Sequence, residues 1–320
     1  MNDSSGGGRP IGPGGSIAGN ADPKTIVGRV DDVPYGIVMM IVATVLFASA
    51  SAASKWLVAS YPVGEVLFLR SFSSLVACAA MMLPVTGLSV IATRRPRDHI
   101  ARGLSQSISQ LALLLSFSLM PLAGAIAISF SAPLFAAVVS IIWLREHAGY
   151  VRGCALVVGF CGVLIVTNPG ANSLTLGALF ALINAVMYGT VTVAVRGMTR
   201  TESANTLVIW QCLGLAFFHS FLLFFGWRWP SPMDAAMLFG TGFVNVVGQW
   251  CWTKALHLAP APAVTPFYYL MLVWAVAIGF FVWDEVPTIS LLIGSAIVVA
   301  TGLFLFLREA RLQKGLRRHP

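Results

Sequence analysis

The feature that most constrains this chain is a series of ten long apolar runs joined by mostly short connections. Only 10% of its residues are charged, whereas soluble domains carry about 25%. Each run has 17 to 23 residues, and a helix needs about 20 to cross the hydrocarbon core of a bilayer. The sequence therefore predicts an all-α integral membrane protein with ten transmembrane helices, at residues 35–57, 63–83, 100–120, 122–143, 151–167, 175–195, 204–226, 234–256, 263–282 and 288–307.

The net charge of +8 raises the possibility of a nucleic-acid partner, but the positions of the cations argue against one. If the N-terminus is cytoplasmic, 17 of the 20 Lys and Arg residues fall in inside tails and loops, and only Lys55, Arg70 and Arg228 do not. This is the positive-inside rule. We expect a multi-pass protein of the cytoplasmic (inner) membrane, with both termini cytoplasmic, in contact with the lipid bilayer and without nucleic acid.

The two ends of the chain have compositions unlike the apolar runs. Residues 1–33 are rich in Gly, Ser and Pro, which predicts a disordered cytoplasmic tail that lacks the apolar segment of a cleavable signal peptide. Residues 308–320 predict a basic cytoplasmic tail.

The two halves of the chain resemble each other. A shift of 139 residues places 104–164 on 243–303 without a gap, and a shift of 141 places the first run on the sixth. The agreement of rare residues indicates an internal duplication: Gln106 falls on Asn245, Gln110 on Gln249, Pro121 on Pro260, and Glu146 on Glu285.

This duplication predicts two repeats, 34–172 and 173–307, with five spans each. Because five is an odd number, the repeats must enter the membrane in opposite orientations. Inverted repeats are typical of alternating-access transporters, whose solute site lies between the repeats near the middle of the membrane. A solute carrier is therefore the leading hypothesis.

Four amide side chains lie inside the predicted spans, where an unpaired amide costs several kcal/mol. Gln106 and Gln110 are one turn apart on span three, and Asn245 and Gln249 occupy the matching positions of span eight. We expect the two pairs to face each other across a central cavity and to bind polar groups of a solute. The alternative is hydrogen bonding between helices without a substrate role.

Further polar and aromatic residues extend this candidate site. Asn184 and Tyr188 lie one turn apart on span six, and Tyr268, Tyr269 and Trp274 lie on span nine. Aromatic walls with a few amides suit an organic solute better than a bare ion. Ordinary packing is the alternative for each of these residues.

Three charged residues have candidate structural or gating roles. Arg70 lies about 10 Å into span two at the helical rise of 1.5 Å per residue; structural and solute-contacting roles both fit it. Glu146 and Glu285 lie at helix ends beside short turns, where we expect them to tie loops together.

Two prolines interrupt predicted spans. Pro133 lies in span four, with Ser129 and Ser131 close enough to hydrogen-bond carbonyl groups that the proline frees. Pro266 is predicted to act similarly in span nine. Both could kink their helices for gating or simply for packing.

The sequence offers no catalytic, metal-binding or cofactor-binding pattern. It has five His without an HExxH motif and no paired carboxylates, and its five Cys form no CxxC. We expect neither an enzyme nor a resident cofactor. An intramembrane enzyme and a membrane scaffold that transports nothing remain alternative hypotheses.

Four segments of the chain resemble a known family: "ASKWLVASYPVGEVLFLRS", "AISFSAPLFAAVVSIIWLREHAG", "GFCGVLIVTNPG" and "FYYLMLVWAVAIGFFVWDE". They are similar to the ten-helix bacterial transporters of the drug/metabolite transporter superfamily with two EamA-type repeats. On this resemblance, Arg70 is the family's span-two arginine, Pro133 its span-four proline, and Glu146 and Glu285 its repeat-ending glutamates. The second half departs from the pattern, because Leu272 stands where the proline would be.

The resemblance implies a permease for a small organic metabolite that is amino acid-, vitamin- or nucleoside-like. Similar members export amino acids or take up vitamins or S-adenosylmethionine. The partners expected are therefore a small-molecule substrate, the lipid bilayer and, as a further possibility, a second copy of the chain.

Overall fold

The computed structural model describes residues 32–143, 150–167, 175–198, 201–259 and 261–316. All regular secondary structure within these ranges is helical. Two short 3₁₀ helices, Gly87–Ile91 and Phe221–Phe225, accompany twelve α-helices. The α-helices are α1 (Val33–Val58), α2 (Val63–Thr86), α3 (Pro96–Leu119), α4 (Leu122–Ser129), α5 (Ala132–Trp143), α6 (Tyr150–Thr167), α7 (Leu176–Met198), α8 (Ala204–Ser220), α9 (Pro232–Leu258), α10 (Ala261–Tyr268), α11 (Leu270–Trp283) and α12 (Ile289–Leu316).

The predicted all-α fold is confirmed, and the chain is a multi-pass membrane protein. Six helical segments of the described chain are long and apolar enough to cross a bilayer: Val33–Val58, Val63–Ile91, Leu122–Ile142, Leu176–Val195, Asn205–Phe225 and Pro266–Trp283. Two shorter apolar helices are Gly153–Thr167 and Ile289–Leu305. The amide-bearing helices α3 and α9 are not among these eight, so the count of ten spans stays a prediction.

The surface of the bundle carries large apolar side chains that a soluble protein would bury. Val76 is 53% exposed and Phe281 is 81% exposed, although both lie within apolar helices. The interior contains buried Leu, Val, Ile and Phe residues together with many alanines. An apolar outer surface is what a hydrocarbon solvent requires.

Local sequence explains where several helices begin. The Asp32 carboxylate accepts a hydrogen bond from Tyr35 N at 3.1 Å, and Pro34 follows in the first turn of α1. At α9, Ser231 Oγ accepts from Asp234 N at 3.1 Å, directly before Pro232. Such caps satisfy N–H groups that have no partner in the first turn, where proline is also tolerated.

The helices of the two halves pack in reciprocal pairs. The shifts of 139 and 141 relate α1 to α7, α2 to α8, α3 to α9, α5 to α11 and α6 to α12. Helix α1 packs on α9, and its repeat mate α7 packs on α3. In the same way α2 packs on α9 and α8 packs on α3. Helix α1 also packs on α11, as α7 packs on α5. The self-matched pairs α2–α8 and α6–α12 also contact. The two halves therefore exchange roles in the packing.

A break divides the segment that contains Pro133. Helix α4 ends at Ser129 and α5 begins at Ala132, so Pro133 lies in the first turn of α5. Ser129 Oγ donates to the Ala125 carbonyl at 2.8 Å, and Ser131 Oγ donates to the Ile128 carbonyl at 2.6 Å. These hydroxyls satisfy carbonyl groups beside the interrupted helix.

The matching segment of the second half is also broken, but not at Pro266. That proline lies inside α10, and the break falls at Tyr269, where Tyr269 N bonds the Pro266 carbonyl at 3.3 Å. The shift of 139 places Phe130 on Tyr269. The break is thus kept at the equivalent position although Leu272 replaces the proline.

The predicted tails fall mostly beyond the described ranges. Of the tail 1–33, residues 1–31 lie outside the described residues. Helix α12 continues to Leu316, so the backbone of 308–316 is helical rather than separate from the last helix. The remaining four residues lie outside the described residues.

Candidate functional site

The two helix breaks meet at the contact between the halves. The rings of Phe130 and Tyr269 are edge to face, with centroids 5.3 Å apart. Tyr268 lies 5.8 Å from Phe130 and 6.5 Å from Phe47 of α1 by the same measure. Tyr268 and Tyr269, both predicted site residues, therefore lie where α1, α4 and α10 converge.

Arg70 and Gln110 are brought together by the fold. Arg70 Nη2 donates to Gln110 Oε1, and Arg70 Nη1 donates to Ser54 Oγ, each at 3.3 Å. Ser54 is fully buried. The guanidinium thus lies between α1, α2 and α3, inside the bundle. Sequence reasoning treated Arg70 and Gln110 separately and did not include Ser54.

The other three predicted amides do not take part in hydrogen bonds of this kind among the described residues. Gln106 is 5% exposed, Asn245 is half-buried and Gln249 is exposed. Within the described chain, their side chains hydrogen-bond neither to one another nor to Gln110. The predicted pairs are therefore not hydrogen-bonded to each other, and their position across a cavity stays a prediction.

The face of α9 that carries two of these amides is directed toward α2. Gly242 precedes Asn245 by three residues and Gln249 by seven, so the three share a helix face. Ser74 Oγ donates to the Gly242 carbonyl at 3.1 Å. A Cβ added at Gly242 would meet the Arg70 carbonyl, so α9 approaches the backbone of Arg70.

Asn184 joins two helices. Its Nδ2 donates to the Ser109 carbonyl and to Ser109 Oγ, both at 2.9 Å, and Ser109 Oγ donates to the Asn184 carbonyl at 3.2 Å. Asn184 is 5% exposed. Both amide hydrogens are used between α7 and α3, which favours the packing interpretation over solute binding.

We predict that Asn184→Ala lowers stability without changing solute affinity. Loss of these buried hydrogen bonds should cost about 1 kcal/mol or somewhat more. The thermal midpoint of the purified protein and the KM for flux measure the two effects separately. Asn205→Ala, at an exposed position at the start of α8, is the control. A raised KM with an unchanged thermal midpoint would contradict this prediction and would indicate that Asn184 binds the solute.

Trp274 and Tyr188 differ in their surroundings. Trp274 Nε1 donates to Thr44 Oγ1 at 3.2 Å, which connects α11 to a fully buried residue of α1. Tyr188 is 47% exposed on α7. Trp274 therefore has a packing role in this conformation, whereas Tyr188 keeps an accessible ring.

An ion pair closes one end of the bundle. Lys55 Nζ pairs with the Glu285 carboxylate and also donates to the Met120 carbonyl at 3.2 Å. Glu285 Oε2 accepts from Leu122 N at 3.0 Å, at the start of α4. Glu285 thus ties the connection between α11 and α12 to α1 and α4. Its repeat mate, Glu146, lies outside the described residues.

The backbone around Glu285 explains its position. Asp284 adopts the left-handed conformation (φ 54°, ψ 29°), and Glu285 N bonds the Gly279 carbonyl at 3.1 Å. Asp284 N also bonds the Phe280 carbonyl at 3.1 Å, which is an αL ending of α11 that turns the chain back over the helix. A Cβ at Gly279 would lie 2.8 Å from Glu285 Oε2, so only glycine leaves room for the carboxylate there.

Hydrogen bonds between the two halves also occur near both ends of α2. Tyr61, between α1 and α2, donates to Asp234 Oδ2 in the first turn of α9 at 2.7 Å, and this hydrogen bond raises the pKa of Tyr61. At the other end of α2, Thr93 Oγ1 donates to Glu202 Oε1 at 2.8 Å. A connection of the first half thus contacts the second half at both places.

Two open cavities lie beside these end contacts. One, of about 120 Å³, includes Pro121 and Glu285 in its lining. The other, of about 300 Å³, includes Arg94 and Glu202. Neither is lined by Arg70 or by the four amides, so the central polar residues lie away from both.

Sequence reasoning did not identify two further polar contacts that α8 makes, one with α2 and one with α3. Ser71 Oγ lies 2.7 Å from His219 Nδ1, and both residues are buried. Arg102 Nη2 donates to Gln211 Oε1 at 2.6 Å. The internal repeat could have identified Gln211, because the shift of 141 residues places Arg70 on Gln211.

Comparison with known proteins agrees with this architecture. The EamA-like transporter family matches the chain twice, at residues 34–168 and 175–308. A solved crystal structure superposes with a TM-score of 0.59 at 18% identity, covering 83% of this chain and 95% of that one. That likeness shows a shared fold.

Three curated relatives are transporters. An S-adenosylmethionine uptake transporter of Rickettsia conorii is 26% identical over 89% of this chain and 96% of its own. A riboflavin transporter of Vibrio cholerae is 30% identical over 58% of this chain and 63% of its own. A pseudopaline exporter of Pseudomonas aeruginosa is 22% identical over 89% of this chain and 99% of its own. The chain therefore belongs to the EamA-like transporter family, and it is a transporter rather than an enzyme.

Proposed function

We propose that this protein moves a small organic metabolite across the cytoplasmic membrane by alternating access between two inverted five-span repeats, 34–172 and 173–307. Both termini lie on the cytoplasmic side, as the distribution of Lys and Arg favours. The observation that carries the proposal is the reciprocal packing of the two halves around facing helix breaks. Two conformations can then use the same contacts with the roles of the halves exchanged.

The central residues support an organic solute that is amino acid-, vitamin- or nucleoside-like. Arg70 and Gln110 offer hydrogen-bond groups, and Tyr188, Tyr268 and Tyr269 offer aromatic surfaces. Such a mixture is typical of sites for small organic ligands. Relatives named for S-adenosylmethionine and riboflavin transport support a solute with rings and polar groups.

Flux across a reconstituted membrane tests the proposal. The purified chain in liposomes is offered labelled S-adenosylmethionine, riboflavin, amino acids and nucleosides, in each direction. We expect saturable flux of at least one solute that empty liposomes lack. Absence of flux for the whole panel, with folded and correctly inserted protein, would contradict the proposal.

Gln110→Ala and Gln249→Ala test the site within the same assay. We expect each to lower flux about fivefold or more, because each removes an amide that can hydrogen-bond the solute, worth roughly 1 kcal/mol. Ser118→Ala is the control, since this exposed serine of α3 bonds only its own helix. Wild-type flux in both variants would show that neither Gln110 nor Gln249 contributes to the solute site.

A further inference from the structure

The guanidinium of Arg70 is a cation inside the bundle, and no carboxylate of the described residues forms an ion pair with it. Arg70 is the eighth residue of α2, about 10 Å from the start of that helix. Its two hydrogen bonds go to neutral groups, Ser54 Oγ and Gln110 Oε1, and both are long at 3.3 Å. A charge at this depth is costly unless something pairs with it.

The carboxylates of the described chain are committed elsewhere. Its ion pairs join Lys55 to Glu285 and Arg95 to Asp98, so Arg70 takes part in neither. Four further carboxylates lie near helix ends and accept hydrogen bonds there: Asp32 from Tyr35 N, Glu65 from Arg228 N, Glu202 from Thr93 and Arg94 N, and Asp234 from Tyr61 and Ser231.

A titratable group close to Arg70 on a neighbouring helix is also not an anion. His219 of α8 contacts Ser71, the residue that follows Arg70, and an imidazole is either neutral or positive. His219 is fully buried, and its Nδ1 lies against Ser71 Oγ. No described neighbour therefore supplies the negative charge that Arg70 requires.

Arg102 is a second buried arginine, and it also donates to neutral groups, although its hydrogen bonds are shorter and its Nε has no partner in the described chain. Its Nη1 donates to the Leu207 carbonyl at 2.9 Å, and its Nη2 donates to Gln211 Oε1 at 2.6 Å. Both bonds are shorter than those of Arg70. Arg70 is also half-buried rather than fully enclosed, so its remaining N–H groups can reach a ligand.

We infer that Arg70 binds an oxyanion of the transported solute, either a carboxylate or a phosphate. This inference rests on the proposed function, since it names the chemical class of the solute at the same site. Guanidinium presents its N–H groups in a planar fork that matches the two oxygens of such a group. The solute thus supplies the counter-ion, and Gln110 holds the guanidinium in place through Oε1.

The test compares molecules that differ in the oxyanion. Three pairs are used as probes: S-adenosylmethionine with its decarboxylated form, L-phenylalanine with 2-phenylethylamine, and riboflavin 5′-phosphate with riboflavin. Binding to the purified full chain is measured by calorimetry. We expect the member that carries the oxyanion group to bind about tenfold or more tightly in at least one pair, the size expected for hydrogen bonds to a charged group. The carboxylate and phosphate pairs distinguish the two sources of the oxyanion.

Arg70→Gln should remove this preference. Arg70→Lys, which keeps the charge but not the fork, should retain part of it. Arg228→Gln is the control, because this arginine bonds the Ser60 carbonyl in a connection. The wild-type comparison needs no variant, so the test stands even if Arg70→Gln fails to fold.

Three outcomes overturn the inference: equal affinity within every pair that binds, a preference that persists in Arg70→Gln, or no binding of any probe to the wild-type chain. Flux of a solute without an oxyanion would overturn it while leaving the proposed function intact. Absence of flux for the whole panel would instead count against the proposed function.

Discussion

Glu285→Lys is expected to lower flux at least tenfold. The substitution places two cations together at a site where the side chains of Lys55 and Glu285 are only 11% and 18% exposed, and it removes the acceptor of Leu122 N. Breaking a buried pair costs about 3–5 kcal/mol. We expect this pair to form in only one of the two transport conformations. Its loss then shifts the populations of the two conformations by roughly a hundredfold or more. Flux in liposomes and the thermal midpoint measure the effect.

The double variant Lys55→Glu/Glu285→Lys should recover part of the flux, since it restores the pair but not the acceptor for Leu122 N. The control is Asp98→Lys, which reverses a charge in the exposed pair with Arg95, where the nearest atoms are 3.7 Å apart. Exposed pairs contribute little, so its flux should stay within about twofold of wild type. If the flux of the double variant is as low as that of Glu285→Lys, the ion pair between residues 55 and 285 does not account for the loss of flux.

Gly242→Val should destabilise the protein by about 3 kcal/mol. A Cβ at this position would overlap Ser73 Oγ and the Arg70 carbonyl and would lie 3.0 Å from Ser74 N. Backbone atoms of α2 cannot move aside as a flexible side chain could, so α9 must separate from α2. Overpacking of this kind costs about 1–3 kcal/mol, and more where backbone is struck. Denaturant or thermal unfolding of the purified protein measures the loss.

The same helix provides a matched control. Gly240 lies two residues earlier, and a Cβ there meets no atom within 4 Å. Gly240→Val should therefore change stability by less than about 0.5 kcal/mol, since the helix propensities of Gly and Val differ little. Equal stability of the two variants would show that the close approach of α9 to α2 does not contribute to the fold.

Much of the fold follows from the sequence because membrane insertion depends on the local sum of hydropathy along the chain. The apolar runs indicated an all-α membrane protein, and every predicted run coincides with described helix for most of its length. The repeat was visible because rare residues, such as the pair Gln106 and Gln110, recur at a constant shift. Residue type and spacing are sufficient for both conclusions.

The pairing of polar groups was decided only by the tertiary structure. Asn184 was predicted to face a cavity but bonds Ser109, and Arg70, whose role the sequence left open, contacts Gln110. Lys55 and Glu285 are 230 residues apart in sequence, yet they pair. Such contacts depend on the rotation and axial position of each helix in the bundle. Spacing within one helix defines a face, but only the neighbouring helices determine what that face meets.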